Sequence, residues 1–264
     1  MIHIAADGAR IHYETTGEAG PLLALVPGLG GDGRWWSGVV ADLAVDHRLV
    51  VIDHRGAGRS DRPRQTYSIA GIAADVAEIL ATLPEPAHVV GHSTGGAVAQ
   101  HIGLDHPHLA RSLVLSSTWA RGDARFRALF RARAAMLRAG QVAAYQRLTN
   151  VLAHTADYLA AHEDELEAGV AGVAEKLAPL EVTAARIEML LDHDLLDDLP
   201  RIALPTLVIG AEADEITPFP MSETLATAIP GARLVRVAGA HFHPLADPVG
   251  FAGLLRGFLG EVTR

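Results

Sequence analysis

The sequence contains no cysteine and a single lysine, Lys176. The first absence excludes a disulfide framework, a zinc–thiolate site and a cysteine nucleophile. The second removes a Schiff-base lysine from almost the whole chain, and no G-x-x-x-x-G-K phosphate loop occurs. No apolar run approaches the ~20 residues that a membrane span needs. The stretch Met1 to Gly8 lacks the basic and apolar regions of a secretory signal, so a cytoplasmic location is expected. Positive charge is also in short supply: 22 basic against 31 acidic residues leave a net charge of −9, which argues against a nucleic-acid partner. What remains is a globular composition, 49% hydrophobic and 20% charged over 264 residues. A chain of that length buries roughly three quarters of its unfolded surface and needs no metal or disulfide to hold it together.

Two short strand-like runs, Ile2 to Ala6 and Ile11 to Thr16, flank Asp7-Gly8-Ala9, a hairpin signal. Runs apolar on both faces follow at Leu22–Val26, Leu49–Ile52, Ala87–Val90, Leu113–Leu115, Thr206–Ile209 and, less purely, Leu234–Val237. Such runs belong to a parallel sheet covered on both sides. Helical stretches around 34–44, 67–82, 94–106, 218–228 and 248–259 alternate with them, so the class is α/β. Between residues 120 and 196 the rhythm stops: only helix-favouring residues occur, basic in the first half and acidic in the second. This segment is expected to be a helical cap inserted after the sixth strand, with residues 1–119 and 197–264 forming the core.

The most informative stretch is Gly91-His92-Ser93-Thr94-Gly95, a G-x-S-x-G placed directly after a buried strand and before a helix. A chain that turns this sharply tolerates only small residues two positions either side of the serine. The turn lifts Oγ above the sheet and points the Thr94 N–H to where an oxyanion would form. A serine needs a base, and the base an orienting carboxylate. Among 14 histidines, His241 stands out, since it follows the last strand and precedes Asp247-Pro248. His243 is the alternative, and His92 is expected to pack beside the serine. No third ligand accompanies His241 and His243, so no metal site is expected. Past the strand ending at Ile209, Glu212, Asp214 and Glu215 precede Thr217, expected to cap a helix that has Pro218 in its first turn.

With these motifs the sequence resembles the α/β-hydrolase-fold family. Pro27-Gly28-Leu29-Gly30-Gly31 stands where that family has its His-Gly-x loop, with Pro27 in place of His. Asp53-His54-Arg55-Gly56-Ala57-Gly58-Arg59-Ser60 matches its D-x-R-G-x-G-x-S turn. Residues 240–248 resemble its G-H-x-x-x-x-E-x-P, with Ala240 for Gly and Ala246 for the acid, which leaves the histidine register open by two. Gly91 to Gly96, Ser117-Thr118-Trp119 and Phe130-x-x-Arg133 are similar to stretches of aminoacrylate hydrolases of pyrimidine breakdown, and 3-oxoadipate enol-lactonases are also close. The resemblance implies an α/β-hydrolase fold and a cofactor-free serine hydrolase of a small ester, lactone, amide or enamine-type substrate. It implies Ser93, His241 and Asp214 as triad, with Glu212 second to Asp214, and the Leu29 and Thr94 amides as oxyanion donors. Gly28, Trp35, Trp119 and Arg133 are expected around the substrate, with one of Trp35 and Trp36 in the core. Beyond the substrate, the one partner expected is a second copy of the chain.

Arg133 stands in the middle of an apolar stripe of Phe126, Phe130 and Leu137 on a helix expected over 123–138. An arginine there must snorkel, pair with a buried acid or meet an anion in the cleft. The last option would suit a substrate bearing a carboxylate.

Two other readings remain at this point. Gly28-Leu29-Gly30-Gly31-Asp32-Gly33 spells the dinucleotide fingerprint G-x-G-x-x-G after a strand, with Asp53 20 residues beyond Gly33. Against it stand Pro27 at the strand exit, Asp32 facing the pyrophosphate, and bulky Arg34-Trp35-Trp36. An inactive hydrolase fold serving as a receptor is the other, and a fluorophosphonate probe, which labels only an activated serine, separates the two cases.

Overall fold

The computed structural model describes residues 1–177 and 179–262. Eight strands form one sheet in the order β1-β2-β4-β3-β5-β6-β7-β8: β1 Ile2–Ile4, β2 Arg10–Thr16, β3 Leu22–Val26, β4 Arg48–Ile52, β5 Ala87–His92, β6 Ala110–Ser116, β7 Thr206–Ala211 and β8 Arg233–Val237. The first two pair antiparallel, as the turn at Asp7-Gly8-Ala9 requires, and β2 joins β4 antiparallel. From β4 across to β8 every pairing is parallel.

The helices are α1 Ser37–Leu43, α2 Ile69–Ala81, α3 Thr94–Asp105, α4 Ala124–Arg138, α5 Val142–Ala153, α6 Ala156–Ala161, α7 Glu163–Lys176, α8 Leu180–Glu188, α9 Phe219–Ala228, α10 His243–Ala246 and α11 Pro248–Val262. Strand side chains divide between the two faces with period two. Leu23, Leu25, Val51, Val90, Val114 and Ile209 join Trp36, Leu43, Phe251 and Leu255 on the face covered by α1 and α11. Ala24, Val26, Val50, Val89, Leu113 and Leu115 join α2 and α3 residues on the other. Both layers are buried, which is why the middles of these strands read as apolar runs.

α4 to α8 all lie between β6 and β7. Asp123 caps α4 by accepting the Phe126 N–H at 2.7 Å. The apolar stripe of α4 (Phe126, Phe130, Leu137) packs against α8. A backbone bridge from Arg121 to Asp194 closes the neck of the insertion, reinforced by the Arg121–Asp194 ion pair at 2.6 Å.

The connection from β3 goes outward to β4, and the chain then returns to place β5 on β3's other side. Loops leaving the carboxyl ends of β3 and β5 therefore diverge from adjacent positions, the crevice where open α/β sheets bind ligands. The serine turn and the glycine-rich loop meet there.

Candidate active site

The crevice opens into a cavity of about 210 Å³ walled by Gly28 to Asp32, Trp35, His92, Ser93, His241 and Phe242, with Phe130, Arg133, Tyr145 and Thr149 contributed by α4 and α5. Ser93 joins β5 to α3 with φ 53° and ψ −118°, a left-handed backbone that non-glycine residues rarely adopt. The flanking glycines are explained by contact alone. A Cβ at Gly91 would fall inside Gly95 O, and one at Gly95 would lie 2.6 Å from Pro27 O.

Ser93 offers no side-chain cap to α3, so the first amides of that helix stay open. The Thr94 N–H has no acceptor among the described residues. Neither has that of Leu29, the second residue of a β-turn closed by Gly31 N–H donating to Gly28 O at 2.9 Å. A Cβ on Gly28 would lie 3.3 Å from the Ser93 Cβ, so the turn packs directly on the serine.

His241 follows β8 and is 2% exposed. Its Nδ1 donates to Asp214 Oδ2 at 2.8 Å, which leaves the Nε2 lone pair free. Asp214 follows β7, and its Oδ1 accepts the Ile216 and Thr217 N–H groups at 2.9 and 2.8 Å. Burial would push this carboxyl up, but His241 and the Thr217 hydrogen bonds outweigh it and hold Asp214 below its ordinary value. Ser93 Oγ makes no hydrogen bond among the described residues, and neither does His241 Nε2, though both residues line the cavity. Such contacts commonly tighten only when substrate binds.

The alternatives for base and acid are placed elsewhere. His243 is buried beneath the cavity with Nε2 3.1 Å from Ser116 Oγ, and burial, with His241 adding, pushes it down to about 4. Glu212 is exposed, and Glu215 pairs with Arg125 on the surface at 2.5 Å. His92 is buried, stacks on Trp35 with ring centroids 4.5 Å apart, and its Nδ1 lies 3.2 Å from Ser116 Oγ.

Two expectations are corrected. Trp119 does not reach the cavity: it is 0% exposed and packs on Phe126, with ring centroids 4.7 Å apart. Thr217 does not cap a helix, since α9 begins at Phe219 after Pro218 with no side-chain cap. Its hydroxyl instead donates to Asp214 Oδ2 at 2.9 Å and lies 3.3 Å from His241 Nδ1. Of the two tryptophans, Trp36 is the core one, stacked near Phe251, and Trp35 lines the cavity.

Arg133 is 4% exposed yet borders the cavity. Its Nη2 donates to Thr149 Oγ1 at 2.9 Å and Tyr145 Oη at 3.2 Å, and its guanidinium carbon lies 4.8 Å from the Tyr145 ring centre. Nε is buried without a partner, and Arg133 forms no ion pair among the described residues. Tyr145 and Thr149 carry no motif, so nothing in the sequence marks them.

Asp53 disposes of the dinucleotide fingerprint. Fully buried, it accepts the Gly33 N–H at 2.7 Å and the Arg59 N–H and Nε at 2.8 Å each, so its carboxylate ties two loops together and is not open to a ribose. The loop it anchors borders the serine.

The chain belongs to the alpha/beta hydrolase fold family, whose pattern matches residues 21–247, and its relatives make it a hydrolase. Among its relatives is a putative carbamate hydrolase, RutD, of Azorhizobium caulinodans, 34% identical with 100% of each chain covered. Another of that name, from Pseudomonas savastanoi, is 34% identical over 92% of this chain and 95% of its own. Among solved structures, the enol-lactonase of Burkholderia xenovorans is 28% identical with a TM-score of 0.89, covering 98% of this chain and 100% of its own.

Proposed function

We propose that the chain is a serine hydrolase of small carboxylate-bearing esters, lactones, amides or enamine-type compounds, working through an acyl-enzyme. The observation that carries this reading is the left-handed Ser93 on the same cavity as His241, whose Nδ1 is fixed by buried Asp214. His241 Nε2 takes the hydroxyl proton as Ser93 Oγ bonds to the substrate carbonyl carbon. Asp214 stabilises the resulting imidazolium without itself taking the proton. The Leu29 and Thr94 amides receive the oxyanion. Collapse of that intermediate expels the leaving group, which accepts the proton from His241. Water, deprotonated by the same imidazole, then releases the acid and restores Ser93.

Arg133 supports the carboxylate part of the reading. Its Nη2 is taken by Thr149 and Tyr145, but a buried guanidinium without a carboxylate partner keeps its other N–H donors and its charge for an anion. The relatives named as carbamate hydrolase and enol-lactonase suit the same reaction type. A fluorophosphonate probe should label the wild-type chain at Ser93 and leave Ser93→Ala unlabelled; an unlabelled wild type sinks the mechanism. Arg133→Leu should raise KM for anionic substrates by about tenfold to a hundredfold, the worth of a charge-assisted bond of ~1.5–3 kcal/mol, and spare a neutral ester of similar size. Equal losses on both substrates would leave Arg133 with a purely structural role.

A further inference from the structure

Arg186 enters from α8 and ends beneath the glycine-rich loop, 3% exposed. Its Nη2 donates to His54 Nδ1 at 3.2 Å and its Nη1 reaches Gly30 O at 3.5 Å. Nε is buried without a partner, and Arg186 has no ion pair among the described residues. Two glycines with left-handed backbone make room for it. A Cβ on Gly31 (φ 68°) would lie 2.5 Å from Nη2, and one on Gly56 (φ 83°) would lie 2.7 Å from Cδ. Burial pushes the guanidinium down to about 10, which still leaves it charged at neutral pH.

A charge held this way costs desolvation that an apolar side chain of equal volume would avoid. The guanidinium lies against a turn. Gly28 to Gly31 form the β-turn whose second residue is Leu29, and its polar groups have few anchors. From the core, His54 N–H donates to Gly31 O at 2.7 Å, and two residues on Gly33 N–H donates to Asp53 at 2.7 Å. From the side of the insertion, Arg186 Nη1 comes within 3.5 Å of Gly30 O and its Nη2 donates to the ring of the same His54 at 3.2 Å.

We propose that Arg186 is a positioning residue that sets the direction of the Leu29 N–H, so that half of the oxyanion site is held in place by the helical insertion and not by the core alone. The inference rests on the serine-hydrolase reading above, and its test separates the two. The wild-type chain is first labelled with a fluorophosphonate; absence of label overturns the reading itself.

With a labelled wild type, Arg186→Met is compared on a small neutral ester at a temperature where both proteins are folded. Deleting one oxyanion donor costs ~10²–10³ in kcat, so misdirecting one should cost about tenfold to a hundredfold, with KM nearly unchanged. A trifluoromethyl ketone, which forms an oxyanion on Ser93, should bind more weakly by the same factor. A merely structural arginine would lower Tm and move neither parameter. Arg186→Lys keeps the charge but cannot span both acceptors, so it should show the same paired loss to a smaller extent and serves if the Met variant does not fold. Unchanged kcat and inhibitor affinity, or a loss confined to KM, would overturn the inference.

Discussion

At the residue scale, Thr217 shows how one hydroxyl can serve a carboxylate. Asp214 Oδ1 is held by two backbone amides, but Oδ2, the oxygen facing His241, has only the Thr217 hydroxyl besides the imidazole among the described residues. Thr217→Val preserves shape and the backbone donors while removing that hydrogen bond. A bond to a charged acceptor is worth ~1.5–3 kcal/mol, and part of the anchoring remains, so kcat should fall about tenfold with KM unchanged. Asp214→Asn should be far more damaging, roughly 10⁴ by the serine-protease template, because the imidazole would be held in the wrong tautomer. Steady-state kinetics of both variants on one ester measure the difference. A Thr217→Val enzyme with wild-type kcat would show that the two amides suffice to orient the carboxylate.

At the scale of elements, what the sequence revealed was whatever is enforced locally. The middles of β5, β6 and β7 are buried on both faces, so Val89–Val90, Leu113–Leu115 and Leu207–Ile209 are apolar, and Gly91 and Gly95 are glycines because any Cβ would strike backbone. The hidden parts depend on residues far apart in the chain. Arg186 meets Gly30 across 156 positions, and Thr217 meets His241 across 24, so neither leaves a periodicity or spacing to read. Trp119 was misplaced because a family-like stretch says that a tryptophan is there, not which way it points. The same division between packing and exposure predicts where the molecule opens first. α6 buries none of its residues, whereas α3 is buried along most of its length. Few apolar contacts mean a small free energy of local opening. Amide exchange followed by mass spectrometry should therefore find residues 156–161 exchanging well before the α3 amides and without global unfolding. Simultaneous exchange of both segments would mean that the insertion and the sheet open as one unit.

At the scale of the whole molecule, the histidines link folding to acidity. His54, His88, His92, His193 and His243 are all buried. Burial, in each case the largest cause, lowers every one of them: His88 and His243 to about 4, His193 to about 3, and His54 and His92 well below the ordinary value. Each is therefore neutral in the folded chain while the unfolded chain protonates it near 6.5. A depressed value in the folded state gives stability that is present above the unfolded value and lost as pH falls towards the folded one. The loss is roughly 1.4 kcal/mol per pH unit for each histidine. Asp75, raised chiefly by burial, works the other way, but it is a single carboxyl against these five histidines and against His12 and His154, which burial also lowers. Against a typical domain stability of about 5–15 kcal/mol, several such groups acting together are enough to erode the margin as the pH falls below 6.5. Thermal unfolding should thus show Tm steady above about pH 7 and falling steeply between about 6 and 4, with an uptake of several protons per chain. His88 offers an internal check far from the cavity, since its Nδ1 bonds Ser112 Oγ at 2.7 Å within the sheet. His88→Gln can keep that hydrogen bond and cannot titrate, so it should reduce the proton uptake by about one without altering the serine site. A Tm that stays level down to pH 4.5 would mean that the buried rings accept protons without unfolding, and that the interior is wetter than its packing indicates.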